Sequence, residues 1–350
     1  MISRNALLPC LVLALVTAFA PALAEPSGTS TAQARAAFSE FNRLHTVIAA
    51  HQGEIFFEET WGGPGPFEPV NIKSVSKTIL SALVGKAIEE GVIESVDQPV
   101  TELLHNRVPA SADPRVNRIT VGNLLSMQAG LERTSGGNYA RWVISSDWVA
   151  YVLSREFVSE PGDERLYSTG STHLLSAALT DSSGQSTWEL AQQWLSAPLN
   201  VRVPPWLTDP QGIYFGGNDM VMSPRALLRF GEMYRQGGSI DGRRVLDPEW
   251  VERSWEPRGT SRWSGDLYGY GWFITDLDGH TAYYGRGYGG QALWVVPALE
   301  LTVVATSSPN PPSPGGRYFR ELQRVVEHYL LPAAGAPLSG TEPDGTQGPG

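Results

Sequence analysis

The sequence predicts an α+β protein: one antiparallel sheet built from both ends of the chain, with flanking helices and a mostly helical inserted subdomain. Three observations predict it. Strand patterns gather in residues 40–95 and again in residues 260–332, the stretch 96–259 is dominated by helical spacing, and an amphipathic run at 318–331 can pack beside a first helix on the sheet. At 350 residues, 41% apolar and 18% charged, the chain has an ordinary globular composition and the length for one large core or two packed subdomains. No internal repeat is present. A formal charge of −10 and a pI near 5.2, with no basic stripe, argue against nucleic acid as the main partner. Eleven tryptophans and twelve tyrosines fit a large core first and a cleft lining second.

Residues 1–24 read as a signal peptide. Arg4 gives a positive start, residues 6–19 are mostly apolar, and Ala22-Leu23-Ala24 is a small-x-small cleavage pattern before Glu25. The apolar run is too short for a membrane span. An exported protein, periplasmic or secreted and without a stable membrane anchor, is expected. The single cysteine, Cys10, falls in the removed segment, so stability must come from the core.

Residues 25–39 are small and polar enough to be a flexible N-terminus, with a first helix expected over 35–44. Residues 47–51 and 54–58 read as two strands around Gln52-Gly53. Residues 60–69 hold three glycines and three prolines and read as a loop. Ile79, Leu80, Leu83, Val84, Ala87 and Ile88 then fall at helical spacing, stopped by Gly91. A long connection follows over 92–116. Helices are expected over 120–127, 147–153, 171–179 and 187–195. Ser223-Pro224 is a capped start for a helix over 225–236. Strands are expected over 268–275, 281–284, 291–296 and 301–306. Residues 40–332 form the domain, and 333–350, rich in Gly, Pro, Ala, Ser and Thr, read as a disordered tail.

The chemistry concentrates at Ser74-Val75-Ser76-Lys77. The chain has only three lysines, Lys73, Lys77 and Lys86, so a chance Ser-x-x-Lys is roughly a one-in-four event and context must decide. Three residues apart on a helix, the two side chains are surface neighbours. A neutral lysine there can take the serine's proton, and the Ser74 N–H at a helix start can hold an oxyanion. Against this, Ser74 or Ser76 can be a plain N-cap and Lys77 a snorkelling cation. Two further stretches bear on the choice. Pro161-Gly162 leads into Tyr167-Ser168-Thr169-Gly170, and Tyr284-Gly285-Arg286-Gly287-Tyr288-Gly289-Gly290-Gln291 precedes an apolar strand. Glycines at that place mark a bulge or the close approach of backbone to a ligand.

Together, Ser74-x-x-Lys77, Tyr167-Ser-Thr169 and the Gly-rich strand at 287–291 resemble the serine β-lactamase and penicillin-binding superfamily. The likeness is to its class C-like branch of esterases and amide hydrolases, the group that includes 6-aminohexanoate-dimer hydrolase, and runs over about residues 40–332. It implies a β-lactamase/transpeptidase-like fold. It also implies Ser74 as the acylated nucleophile, Lys77 and Tyr167 as general base and acid, and the backbone N–H groups of Ser74 and Tyr288 as the oxyanion hole. The sequence departs from that family at Thr169, where class C enzymes carry Asn, and at Gly285-Arg286-Gly287, where they carry Lys-Thr-Gly. Arg286 can replace the anion-binding lysine or be a solvated charge. These departures favour an ester or linear amide over a β-lactam.

Tyr139, Thr169, Arg286 and Gly287 are the candidate substrate contacts. The six histidines are scattered, with no metal-ligand spacing, and His173 reads as an ordinary helix-start residue. No phosphate loop is present, so no cofactor or metal is expected. The expected function is an exported serine hydrolase acting on a small-molecule ester, amide or peptide-like substrate. A β-lactamase or D-alanyl-D-alanine carboxypeptidase stands second, and a non-catalytic penicillin-binding-like sensor module third.

Overall fold

The computed structural model describes residues 28–310, 312 and 316–335. The leader at 1–24, Cys10 within it and residues 336–350 lie outside that set. Strand β1 (Leu44–His51) turns into β2 (Glu54–Thr60) through Gln52 and Gly53, both at positive φ, which a two-residue hairpin turn requires. The second group of strands is β3 (Gly259–Thr260), β4 (Leu267–Tyr268), β5 (Phe273–Leu277), β6 (His280–Gly287), β7 (Gln291–Val296) and β8 (Leu301–Ser307). They form one antiparallel eight-stranded sheet in the order β2-β1-β8-β7-β6-β5-β4-β3. The two ends of the chain therefore meet at the β1–β8 ladder, from Leu44↔Ser307 to His51↔Leu301.

Both faces of the sheet are buried, and strand alternation sorts the side chains between them. On β7, Ala292, Trp294 and Val296 face one layer, and Leu293 and Val295 face the other. The first layer is closed by helices α1 (Gly28–Ser39) and, late in the chain, Gly316–Val325, through Phe38, Phe319 and Leu322. The second is closed by α2 (Ser76–Glu89), with α3 (Thr169–Ser183) packed on α2, and by α4 (Pro224–Arg235). Helix α4 can lie this close because residue 231 is glycine: a Cβ there would sit 2.6 Å from Thr302 Cγ2 and 2.7 Å from Leu293 Cδ1. The late helix at Gly316–Val325, α5, continues through Val326–Leu330 to Leu331–Ala333. Among the described residues no helix is long and apolar enough to cross a membrane.

Three local expectations are corrected. Residues 28–39 are helical, not flexible, because Ala34 and Phe38, one turn apart, bury against the sheet; the helix stops before Leu44, which opens β1. The strand expected over 268–275 is interrupted between Tyr268 and Phe273, where Gly271 takes φ +78° and a Cβ on Gly269 would meet the Ser254 carbonyl at 2.2 Å. The mostly helical insertion also holds short strands, as expected of a subdomain that is not wholly helical: Val221–Met222 pairs with Val70–Asn71, and Ser239–Ile240 pairs with Arg243–Arg244. Ala333 and Ala334 are buried, so the start of the expected tail belongs to the domain.

Trp294 is fully buried between β7 and α5, stacked on Phe319 with ring centroids 5.4 Å apart, whereas Trp263 is 75% exposed. Trp294→Ala is expected to lose about 3–5 kcal/mol in urea denaturation, and Trp263→Ala less than about 0.5 kcal/mol.

Candidate active site

The site begins with a strained turn. Lys73 adopts φ +50°, a left-handed conformation that costs a non-glycine residue of order 1–3 kcal/mol unless neighbours hold it. They do: its N–H donates to Asn71 Oδ1 (2.9 Å), and its ammonium donates to Asp219 Oδ1 (2.8 Å), which also accepts from Asn71 Nδ2 (2.7 Å). Residues Lys73–Val75 form a single 3-10 turn, and α2 starts only at Ser76. Ser74 thus stands on that turn, just outside the α-helix whose first turn it was expected to occupy. Of the two serines, Ser76 is fully buried; its hydroxyl donates to the Lys73 carbonyl and accepts from the Met220 N–H. Ser74 is partly exposed and lines a cavity.

Lys77, one turn on, is 2% exposed because both neighbouring faces of α2 are packed. Its Nζ donates to Ser74 Oγ (3.2 Å), Thr169 Oγ1 (3.2 Å) and the Gly217 carbonyl (2.6 Å). It also lies 4.9 Å from the centre of the Tyr167 ring. Burial pushes the Lys77 ammonium below the ordinary lysine range, while the Tyr167 phenol, by charge and hydrogen bond, and then Asp219 push back. The snorkelling alternative does not fit, since the amine is buried and its Nζ donates to groups inside the protein.

The Gly217 carbonyl is held by a segment that sequence reasoning passed over. A Cβ on Gly217 would fall 2.0 Å from Thr172 Oγ1 and 2.9 Å from Lys77 Cγ, and one on Gly216 would fall 2.3 Å from the Thr172 carbonyl. Only a Gly-Gly pair lets this strand of backbone press against α3. The Gly216 N–H donates to His173 Nδ1 (3.3 Å), which places the ring proton on Nε2, 3.0 Å from Asp209 Oδ2. His173 is therefore a fully buried anchor in the first turns of α3. The consecutive glycines between Phe215 and Asn218 were the available signal.

Tyr167 precedes α3 and is stacked on Phe273, with centroids 6.2 Å apart. Gly287 closes the hairpin from β6 to β7, paired with Gln291. A Cβ on Gly287 would come within 2.5 Å of the Ile72 carbonyl, so glycine is what lets the end of β6 abut the Ser74 turn. Ser74, Tyr167, Arg286, Gly287 and Tyr288 line one cavity of about 320 Å³. A larger groove of about 700 Å³, between Phe67 and Arg229, contains none of them.

Two residues expected as substrate contacts have partners within the protein and do not line the cavity. Thr169 is buried and serves Lys77: its Oγ1 accepts from the amine and meets Ser135 Oγ at 3.0 Å, and its N–H donates to Ser135 Oγ (2.9 Å). Tyr139 does not line the cavity. Its hydroxyl accepts from Asn218 Nδ2 (2.9 Å) and its ring stacks on Phe215; burial, then the Asp219 charge, push the phenol up to about 12.

A hydroxyl and a phenol from two distant segments thus line one small cavity, with a buried amine behind them that donates to the hydroxyl, an arrangement suited to nucleophilic attack with proton relay. Known proteins resemble this chain in sequence and in fold. The Beta-lactamase family profile matches residues 43–327. The chain is 26% identical over 300 residues to the 6-aminohexanoate-dimer hydrolase of Paenarthrobacter ureafaciens, spanning 78% of this chain and 74% of that protein. Its fold superposes on EstCE1, a hydrolase with promiscuous acyltransferase activity, with a TM-score of 0.71 at 19% identity, covering 85% of this chain and 99% of that one. A D-stereospecific amidohydrolase from Streptomyces sp. gives a TM-score of 0.63 at 18% identity, covering 80% and 94%. The chain belongs to the Beta-lactamase family and is a serine hydrolase of that family.

Proposed function

We propose that the protein cleaves an ester or linear amide of a small acid through an acyl-enzyme on Ser74. The observation that carries this reading is the buried Lys77 amine, 3.2 Å from Ser74 Oγ and with no carboxylate on it. A neutral amine there accepts the Ser74 proton as Oγ attacks the acyl carbon. The Tyr167 phenol, beside the same amine, passes a proton to the leaving group. Water then attacks the acyl-enzyme, with the pair acting in reverse, and releases the acid. The N–H groups of Ser74 and Tyr288 are the oxyanion donors in this reading, supported by their place on one cavity. The printed names of the relatives, a dimer hydrolase, an esterase-like hydrolase and an amidohydrolase, support ester or amide chemistry. A β-lactam substrate is less well supported, because β6 carries Gly285-Arg286-Gly287 and no lysine. Export is part of the proposal and rests on the leader-like residues 1–24.

The direct test assays p-nitrophenyl butyrate, nitrocefin and a linear amide with wild type, Ser74→Ala and Tyr167→Phe. Ser74→Ala is expected to lose several orders of magnitude in kcat on the best substrate, and Tyr167→Phe at least about a hundredfold. Unchanged turnover in Ser74→Ala removes the assignment.

A pH dependence follows from Lys77. Its proton is held less tightly in the folded protein than in the unfolded chain. kcat/KM is therefore expected to rise with pH through the lowered Lys77 value and then level off. Stability follows the same sign. The charged amine penalises folding fully below the folded value, and the penalty fades as pH rises toward the ordinary lysine range. Urea denaturation across that window should show stability rising more steeply with pH in wild type than in Lys77→Met.

A further inference from the structure

The turn that presents Ser74 and the segment that presents the Gly217 carbonyl are each strained at one residue, and an ion pair joins the two. Lys73 takes φ +50° and Asp219 takes φ +58°, both in the left-handed region that favours glycine. Lys73 Nζ meets Asp219 Oδ1 at 2.8 Å across 146 positions of sequence. The two side chains are 23% and 19% exposed, too sheltered for salt to screen them fully. Neither residue lines the Ser74 cavity.

Both strained residues stand at the end of one short ladder. Val70 pairs with Met222 and Asn71 with Val221, and the Ile72 N–H donates to the Met220 carbonyl (3.0 Å). The chain leaves this ladder into Lys73 and Ser74, and enters it from Gly217 and Asp219. Ser76 braces the crossing, donating to the Lys73 carbonyl and accepting from the Met220 N–H. Ser74 Oγ and the Gly217 carbonyl are two of the three acceptors of the Lys77 amine. A slip of either strained residue therefore displaces an acceptor of the base.

The pair also decides what charge the amine meets. Burial disfavours the charged amine, and the Tyr167 phenol and then the Asp219 carboxylate favour it. From α3, Thr169 and Thr172 pack about Lys77 and carry no charge, and His173 is taken by Asp209 and the Gly216 N–H. Arg165 stands 5.7 Å from the centre of the Tyr167 ring. Asp219 lies only two residues beyond the Gly217 carbonyl, yet its Oδ1 is occupied by Lys73 and Asn71. The Lys73 ammonium offsets the carboxylate charge that Lys77 would otherwise meet in full.

We infer that Lys73 and Asp219 are positioning residues for the Ser74 reaction. Their ion pair clamps the nucleophile's turn to the segment that carries the Gly217 carbonyl, and it keeps the Asp219 charge off the Lys77 amine. The lysine that precedes the nucleophile thus sets the pH range in which the second lysine can act as base. This inference rests on the hydrolase reading above, and its test separates the two.

Lys73→Met, Lys73→Arg and Asp219→Asn are compared with wild type on p-nitrophenyl butyrate across the rising limb of kcat/KM against pH. Lys73→Met leaves Asp219 without its cation, so the limb is expected at higher pH. At a fixed pH on the limb, that is about a tenfold loss which narrows toward the plateau. Asp219→Asn keeps the shape and removes the charge, so its limb is expected at lower pH than wild type. Lys73→Arg keeps the charge and is expected to keep the wild-type limb. Opposite displacements in the Met and Asn variants uphold the inference. A loss of plateau rate with the limb unmoved makes the pair a structural support only and overturns it. Should Lys73→Met not fold, Asp219→Asn decides alone, since its limb either moves down or does not. A second readout needs no turnover. In protein labelled with 13C at lysine Cε, the Lys77 resonance is expected to titrate at higher pH in Lys73→Met and at lower pH in Asp219→Asn. If wild type hydrolyses no ester, the hydrolase reading fails, and this resonance decides the role of the pair. The opposite displacements uphold it, and a Lys77 resonance that titrates alike in wild type and both variants removes it.

Discussion

A lysine amine held out of water, with neutral acceptors around it and no carboxylate against it, is the constraint on which the rest of this structure depends. An isolated buried ammonium costs several kcal/mol even after relaxation. At Lys77 that cost is offset in part by the Gly217 carbonyl, Thr169 and Ser74. In the proposed mechanism, a carboxylate at the same place would fix the proton on nitrogen and remove the base. Asp219 is near enough to act on Lys77, yet its Oδ1 is taken by Lys73 and Asn71. The second lysine thereby keeps the acid away from the first, and it anchors the strained residue that presents Ser74.

The fold supplies the convergence. The end of β6 can reach the Ser74 turn only because Gly285 and Gly287 lack side chains. A Cβ on Gly285 would meet Thr78 Oγ1 at 2.7 Å, and one on Gly287 the Ile72 carbonyl at 2.5 Å. The 216–219 segment reaches α3 and α2 by the same device. Both faces of the sheet are packed, so these approaches are held by bulk burial and not by local contacts alone. In the proposed mechanism substrate selection falls to the cavity wall, which Arg133, Arg165, Arg286, Trp263 and Tyr288 line.

Much of this was legible in the sequence, and what was not has a common cause. The apolar period of α2, the Gln52-Gly53 turn and the split of strands between the chain ends are local patterns, so the fold class could be read from them. Ser74 and Lys77 are three residues apart, and Tyr167 and Gly287 carry short motifs of their own. The supports of the site are not local. Lys77 meets Thr169 across 92 positions and the Gly217 carbonyl across 140, and neither distance leaves a trace in spacing. Thr169 and Tyr139 were therefore read as substrate contacts with no sign of their partners within the protein, Lys77 and Asn218. Arg165 drew no reading from the sequence, because the Tyr268 and Phe273 rings that fold against it come from another part of the chain. Composition misled at residues 28–39, where two buried side chains, Ala34 and Phe38, outweigh many small polar ones.

The chain's three lysines make the central claim directly measurable. Protein labelled with 13C at lysine Cε gives one resonance per lysine, and Lys77→Met identifies the one that matters. The account predicts that the Lys77 resonance titrates below those of Lys73 and Lys86. A Lys77 resonance that titrates with or above the other two would contradict it, since the amine beside Ser74 would then stay protonated throughout the working range.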